Sequence, residues 1–152
     1  MDKDKSIDHQ LRATWQAVAK LYNEQAAKFD STMATAFVLL NVDYEKGTPS
    51  TALGPLMGME PTSLSRILKT MEDKGAIKRI KNPNDGRSVL IKLTEYGKKM
   101  RELSKDSVYQ FNNKIREHIS AEELESFFNV TSTINKLIAD KMIYNKINKK
   151  AI

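Results

Sequence analysis

Cysteine is absent from the 152 residues of this chain, which excludes disulfides, cysteine-ligated zinc and any thiol-based redox switch. Only two histidines occur, His9 and His118. They lie far apart, with no second histidine or carboxylate at ligand spacing, so both read as ordinary polar side chains and no metal or other cofactor is expected. Glycine is scarce as well, at six residues, and none form a phosphate-cradling loop. No nucleophile–base constellation is present, and Glu122 with Glu123 is accounted for by helix capping and the helix dipole; an enzyme is not expected. No apolar run approaches the ~20 residues that cross a bilayer. The start, Met1-Asp2-Lys3-Asp4-Lys5, alternates in charge without an apolar stretch behind it, so it does not read as a secretory signal. These absences point to a cytoplasmic protein of one domain, with no internal repeat and no low-complexity linker. The tail residues Lys146, Lys149 and Lys150 read as a solvated end.

What the chain does have is positive charge in one place. Residues 61 to 101 carry 11 Lys and Arg against 4 Asp and Glu, a net of 11 − 4 = +7. The remaining residues hold 14 basic and 15 acidic side chains, or −1. A basic excess confined to one segment is the electrostatic footprint of a surface laid against phosphates.

Periodicity assigns the elements. Leu11, Trp15, Val18, Tyr22, Ala26 and Phe29 recur at steps of three and four, one stripe of an amphipathic helix over 9–29. Asp30-Ser31-Thr32 breaks it and caps a second helix from Met33 to Tyr44, apolar nearly all round and closed by Gly47. Thr48-Pro49 is expected to open a short third helix, with Thr48 as N-cap and Pro49 at the first helical position. Gly54-Pro55 predicts a bend or a 3₁₀-like piece within it, and Gly58 stops it. Glu60-Pro61 starts a helix to Lys74 that buries Leu64, Ile67, Leu68 and Met71. Two short helices joined by a glycine-containing turn form a helix-turn-helix. Beyond Gly75, Ile77 and Ile80 mark one strand and Val89, Ile91 and Leu93 the next; Asn82-Pro83-Asn84-Asp85-Gly86 makes the turn. Thr94 caps a helix running to about His118. Ser120 with Glu123 forms a capping box for a last helix with Leu124, Phe127, Phe128, Thr131, Ile134, Ile138 and Met142 on its stripe. The fold class is therefore mainly α with a small β-hairpin wing: a winged helix-turn-helix over 33–97, flanked by long dimerisation helices at 1–30 and 98–145. The apolar stripes of the end helices need a cover, and a second copy of the chain is the preferred one.

The helix from Pro61 to Lys74 presents Thr62, Ser63, Ser65, Arg66 and Lys69 opposite its apolar face. Hydroxyls bond bases or phosphate oxygens, and an arginine pairs bidentately with guanine. Arg87 at the hairpin tip suits a narrow, A·T-rich minor groove. Asp85 either braces Arg87 through a carboxylate–guanidinium pair or simply forms the turn. Lys78 and Lys81 are placed to contact phosphates.

Leu53, Met57-Gly58-Met59, Thr62-Ser63-Leu64-Ser65-Arg66, Met71-Glu72-Asp73-Lys74-Gly75, Ile77, the wing stretch Asp85-Gly86-Arg87-Ser88, Leu93-Thr94 and Gly97 together resemble the MarR (multiple antibiotic resistance regulator) family of bacterial transcription factors. With the helices on both sides, the likeness covers nearly the whole chain. It implies a homodimer with interlocked terminal helices, a recognition helix in each of two major grooves, and wings in the flanking minor grooves of a near-palindromic double-stranded DNA operator. It also implies repression relieved by a small, frequently aromatic or phenolic ligand. By position it carries DNA contact to Thr62, Ser63, Ser65 and Arg66, and the wing role to Arg87 with Asp85. The chain departs from the family pattern at Gly86, where a second basic residue is common. It departs also at Gly54-Pro55 inside the first motif helix, and at Glu60, where Ser or Thr usually caps. Trp15, Tyr22, Met33 and Phe37 are candidates to line the ligand pocket, although such residues at helical spacing also suit plain core. The alternative to a DNA-binding regulator is a winged-helix protein-interaction module, which would show apolar or aromatic anchors on the recognition helix.

Overall fold

The computed structural model describes residues 5–144; Lys146, Lys149 and Lys150 lie outside the described residues. Six helices and three short strands follow one another as α1 (Ile7–Ala27), α2 (Met33–Asn41), β1 (Thr48–Pro49), α3 (Ser50–Met57), α4 (Pro61–Asp73), β2 (Ile77–Lys81), β3 (Val89–Leu93), α5 (Glu95–His118) and α6 (Ala121–Ala139). They divide into two compact units, one ending at Tyr109 and the other starting at Gln110.

In the first unit, local chemistry sets most boundaries. The Thr32 hydroxyl accepts the Thr35 N–H at 3.1 Å and caps α2. That helix stops at Asn41, not Tyr44. Its released carbonyls are taken by Arg101 of α5, whose Nη1 donates to the carbonyls of Leu39, Leu40 and Val42. A cation at a helix C-terminus is favoured by hydrogen bonding and by the dipole together. The Asp43 carboxylate then organises the next turn by accepting the N–H groups of Glu45 and Lys46, at 3.0 and 2.7 Å.

Thr48-Pro49 does not start a helix. It pairs antiparallel with β3, in the register Thr48↔Ile91 and Pro49↔Leu90. The Thr48 hydroxyl accepts the Asp43 N–H at 2.8 Å, so it serves the preceding turn and not a helix cap. Pro49 stands as the N-cap position of α3, whose interior remains α-helical through Pro55 instead of becoming 3₁₀. Gly58, at φ 60°, ends it in the left-handed conformation that glycine adopts without strain. The sheet order is β1-β3-β2, with Ile77↔Leu93 through Lys81↔Val89 aligning the hairpin.

The core is built from Val38, Leu39 and Val42 at the end of α2, Leu53 of α3, Leu64, Leu68 and Met71 of α4, and Ile77, Ile91 and Leu93 of the sheet. It fixes α4 against the hairpin, so one face of α4 is buried and the opposite face is free. Thr94 ties the start of α5 to the same corner: its hydroxyl accepts the Gly97 N–H at 3.0 Å and donates to the Gly75 carbonyl.

In the second unit, the capping box of α6 is complete. Ser120 Oγ accepts the Glu123 N–H at 3.2 Å, and the Glu123 carboxylate accepts the Ser120 N–H at 3.0 Å. The Ser120 hydroxyl also donates to that carboxylate at 2.7 Å, and this bond first, then the one from the Ser120 N–H, holds the Glu123 carboxyl below its ordinary range. Ser120→Ala should therefore destabilise α6 by about 1 kcal/mol, visible as a small loss of helical signal on heating. A change below the resolution of that measurement would show that the cap contributes nothing.

Candidate nucleic-acid interface

The outward face of α4 follows from its pattern of burial. Leu64, Leu68 and Met71 are buried, so Thr62, Ser63, Ser65, Arg66 and Lys69 turn outward, and all five are exposed. The start of the helix has Pro61 at its first position and Glu60 at the cap, and the Glu60 side chain makes no capping bond. The first-turn N–H groups beside Thr62 and Ser63 are therefore presented without a side-chain acceptor from Glu60. Lys69 reaches Asp73 one turn on at 3.3 Å, an exposed pair worth little. Arg66 has no such ion pair among the described residues; its carbonyl accepts the Thr70 hydroxyl at 3.1 Å, and its guanidinium is left outward.

The hairpin tip is fixed by the turn residues read from the sequence, through bonds that the sequence did not reveal. Asn82 is nearly buried, at 8% exposure. Its Nδ2 donates to Ser88 Oγ at 2.7 Å and its Oδ1 accepts the Asn84 N–H at 3.0 Å. Asp85 Oδ1 accepts the backbone N–H of Arg87 at 3.0 Å. The carboxylate thus shapes the turn, and no ion pair joins the two side chains; of the two readings of Asp85, bracing of the guanidinium is not what the geometry contains. Arg87 is exposed at the tip, and Lys78 and Lys81 are exposed along β2.

Arg79 is the functional candidate that sequence reasoning passed over. Its Nε donates to Glu72 of α4 at 3.1 Å, and it borders the groove between α3 and α4 beside Pro61, Leu64 and Ser65. The available signal was its place in the basic strand, but its pairing with Glu72 is set by the packing of β2 on α4.

The cationic excess is smaller on this surface than a count of residues 61–101 implies. Arg101 is spent on the α2 carbonyls. Lys74 donates to Asp30 at 2.8 Å. Lys98 pairs with Glu95 at 3.0 Å and lies 4.9 Å from the centre of the Tyr44 ring. These three of the eleven basic side chains serve the fold.

Of the four pocket candidates, Tyr22, Met33 and Phe37 come together, lining a narrow cavity between α1, α2 and α5 with Phe29, Leu40 and Met100. Burial pushes the Tyr22 phenol up. Trp15 is not among the lining residues and is 53% exposed.

Residues 31–89 match the model of the MarR family. The chain is 28% identical over 137 residues to the HTH-type transcriptional regulator SarZ of Staphylococcus saprophyticus, covering 84% of this chain and 94% of that protein. A mutant of Escherichia coli MarR, solved in complex with operator DNA, superposes with a TM-score of 0.75 at 25% identity, over 84% of this chain and 92% of that one. CouR from Rhodococcus jostii, solved with p-coumaroyl-CoA, has the same fold, with a TM-score of 0.78 at 20% identity over 88% and 94%.

Proposed function

We propose that this chain, whose residues 31–89 match the MarR family model, is a member of that family and acts as a homodimeric, sequence-specific regulator of transcription, a cytoplasmic and non-catalytic repressor that leaves a near-palindromic operator when a small molecule binds. The observation that carries this reading is the outward face of α4, where Thr62, Ser63, Ser65, Arg66 and Lys69 stand clear of the core with no large apolar side chain among them. A protein-docking helix would need such anchors, which argues against the interaction-module alternative.

The proposed mechanism starts from that face of α4. Arg66 and the hydroxyls of α4 read base edges in a major groove, while Lys78, Lys81 and Lys69 set the register on phosphates. Arg87, held on a tip shaped by Asn82 and Asp85, enters the adjacent minor groove. The end helices supply the second copy. Ile7 and Trp15 on α1 and, in the second unit, Phe127 and Ile138 on α6 are each more than half exposed, and these are the side chains that a second copy would cover. A symmetric pair would place two α4 helices roughly 34–36 Å apart, one turn of B-DNA. The ligand shifts binding by favouring a different spacing, which requires unequal affinity for the two spacings. No described helix is long and apolar enough to cross a membrane.

The test is binding to duplex DNA at two salt concentrations. With roughly six phosphates neutralised, affinity should fall about a thousandfold between 50 and 200 mM salt; no binding in dilute buffer would defeat the proposal. Arg87→Ala should weaken binding roughly tenfold per wing, the scale of one charge-assisted hydrogen bond, or about a hundredfold for a symmetric dimer, and most on sites with A·T-rich flanks. An equal loss on G·C-rich flanks would reassign Arg87 to a phosphate.

A further inference from the structure

Asp85-Gly86, at the tip of the wing, is the one place in the sequence where an aspartate or asparagine precedes glycine. In such a pair the backbone nitrogen of the glycine can attack the aspartate's own side-chain carboxyl, because a residue without Cβ leaves that nitrogen unshielded. The folded tip keeps the attack open. Both residues are exposed, and the Gly86 N–H makes no hydrogen bond among the described residues. Asp85 Oδ1 accepts the Arg87 N–H at 3.0 Å, an Asx turn that folds the carboxyl back over the Asp85–Gly86 peptide.

The aspartates that precede serine, the next smallest neighbour, are held. Asp30 is followed by Ser31, whose N–H donates to the Ala26 carbonyl at 3.1 Å. Asp106 is followed by Ser107 within α5, where the backbone N–H belongs to the helical ladder. The fold therefore singles out Asp85.

We propose that Asp85-Gly86 is a self-modification site, at which aspartate converts to isoaspartate with time and dismantles the wing. The Gly86 nitrogen bonds to Cγ of the protonated Asp85 carboxyl. The carboxyl hydroxyl and the amide proton leave together as water, and a succinimide ring closes. Water then opens the ring. Opening at Cγ restores aspartate, whereas opening at the former main-chain carbonyl routes the chain through the side chain and lengthens it by one carbon. Water is the only co-reactant, and the product has the mass of the starting chain.

The tip depends on the original linkage. The Asp85 carbonyl accepts the Ser88 N–H at 3.1 Å and the Ser88 hydroxyl at 3.3 Å, and Asn82 Nδ2 donates to that hydroxyl at 2.7 Å. In the isomer this carbonyl leaves the main chain as a free carboxylate. The Asx bond to Arg87 is broken by the added carbon, so the arginine loses its mount. The effect on DNA rests on the wing's role proposed above; the chemistry at Asp85 does not.

The experiment ages the purified full chain for weeks at neutral pH and physiological temperature, and samples it for two measurements. Proteolytic digests are searched for a wing peptide of unchanged mass and altered elution, with fragmentation placing the isoaspartate. Duplex DNA binding is followed on the same samples. Isoaspartate should accumulate at residue 85 well ahead of residues 30 and 106. Affinity should fall with it, by roughly tenfold per converted wing, as for loss of the Arg87 contact. Gly86→Ala is the control: its added methyl group meets only the Lys81 Cε, at 3.8 Å, so the tip can keep its shape. That variant should isomerise severalfold more slowly and hold its affinity over the same period. No isoaspartate at residue 85, equal amounts at residues 30 and 106, equal rates in Gly86→Ala, or full affinity in converted protein would each overturn the proposal. If fresh protein binds no duplex, the reading of function fails, while the digests still decide the chemistry.

Discussion

Gly97→Ala is expected to lower the unfolding midpoint by roughly 6–12 °C, taking about 3 kcal/mol as the cost of forced overpacking and ~2–4 °C per kcal/mol for a chain of this length. Gly97 is buried in the first turn of α5. A methyl group there would overlap the Ala76 carbonyl oxygen and come within 2.9 Å of the carbonyl carbon. Those atoms are backbone, so no rotamer relieves the clash. Ala76 has little room to move, because its N–H donates to Met71 at 2.8 Å and its carbonyl accepts the Thr94 N–H at 3.1 Å. The strain would fall on the corner that joins the end of α4 to the start of α5, so operator affinity should drop together with stability. Gly75→Ala is the useful contrast. A methyl group meets nothing within 4 Å there, and the cost comes from its φ of 73° alone. Equal melting of Gly97→Ala and wild type would contradict the close approach.

Arg66→Ala should produce the largest functional loss. Each bidentate arginine–guanine pair supplies about 1–3 kcal/mol of discrimination, and a symmetric dimer loses it twice. Specific affinity should fall roughly 30-fold to twenty-thousandfold, with much less change on unrelated duplexes. Arg66→Lys should restore general affinity better than specificity, because an ammonium lacks the planar fork. Lys69→Ala should do less, since Lys69 already shares its charge with Asp73. If base preference within each half-site is unaltered in Arg66→Ala, the base-reading role is wrong.

What was legible in the sequence is local chemistry. The caps at Thr32, Thr94 and Ser120 with Glu123, the stop at Gly58, and the buried face of α4 all depend on residues within a few positions of one another. What was not legible is set by partners far along the chain. β1 is two residues long and exists only through its pairing with β3, so Thr48-Pro49 carries the local signature of a helix start while belonging to a sheet. The end of α2 depends on Arg101, about sixty residues away. The same distance effect separates the charge count from the interface: Lys74 and Arg101 look like phosphate contacts until the elements they bind are in place. Asp85 shows the limit on a smaller scale, since its spacing from Arg87 suits an ion pair or an Asx turn equally and the folded tip contains the turn. At the candidate site, the exposed residues of α4 and the wing were readable because periodicity says which face is free. Arg79 was missed because its role comes from β2 packing on α4, and Asn82, read as a turn residue, closes the hairpin through a bond to Ser88 that only the folded tip creates.

Selection of bound duplexes from a random pool by the purified full chain tests the core of this account most directly. A dimer that presents two copies of α4 one helical turn apart should recover an inverted repeat with half-site centres about 10 base pairs apart. Recovery of an isolated half-site without symmetry, or no enrichment at low salt, would contradict it.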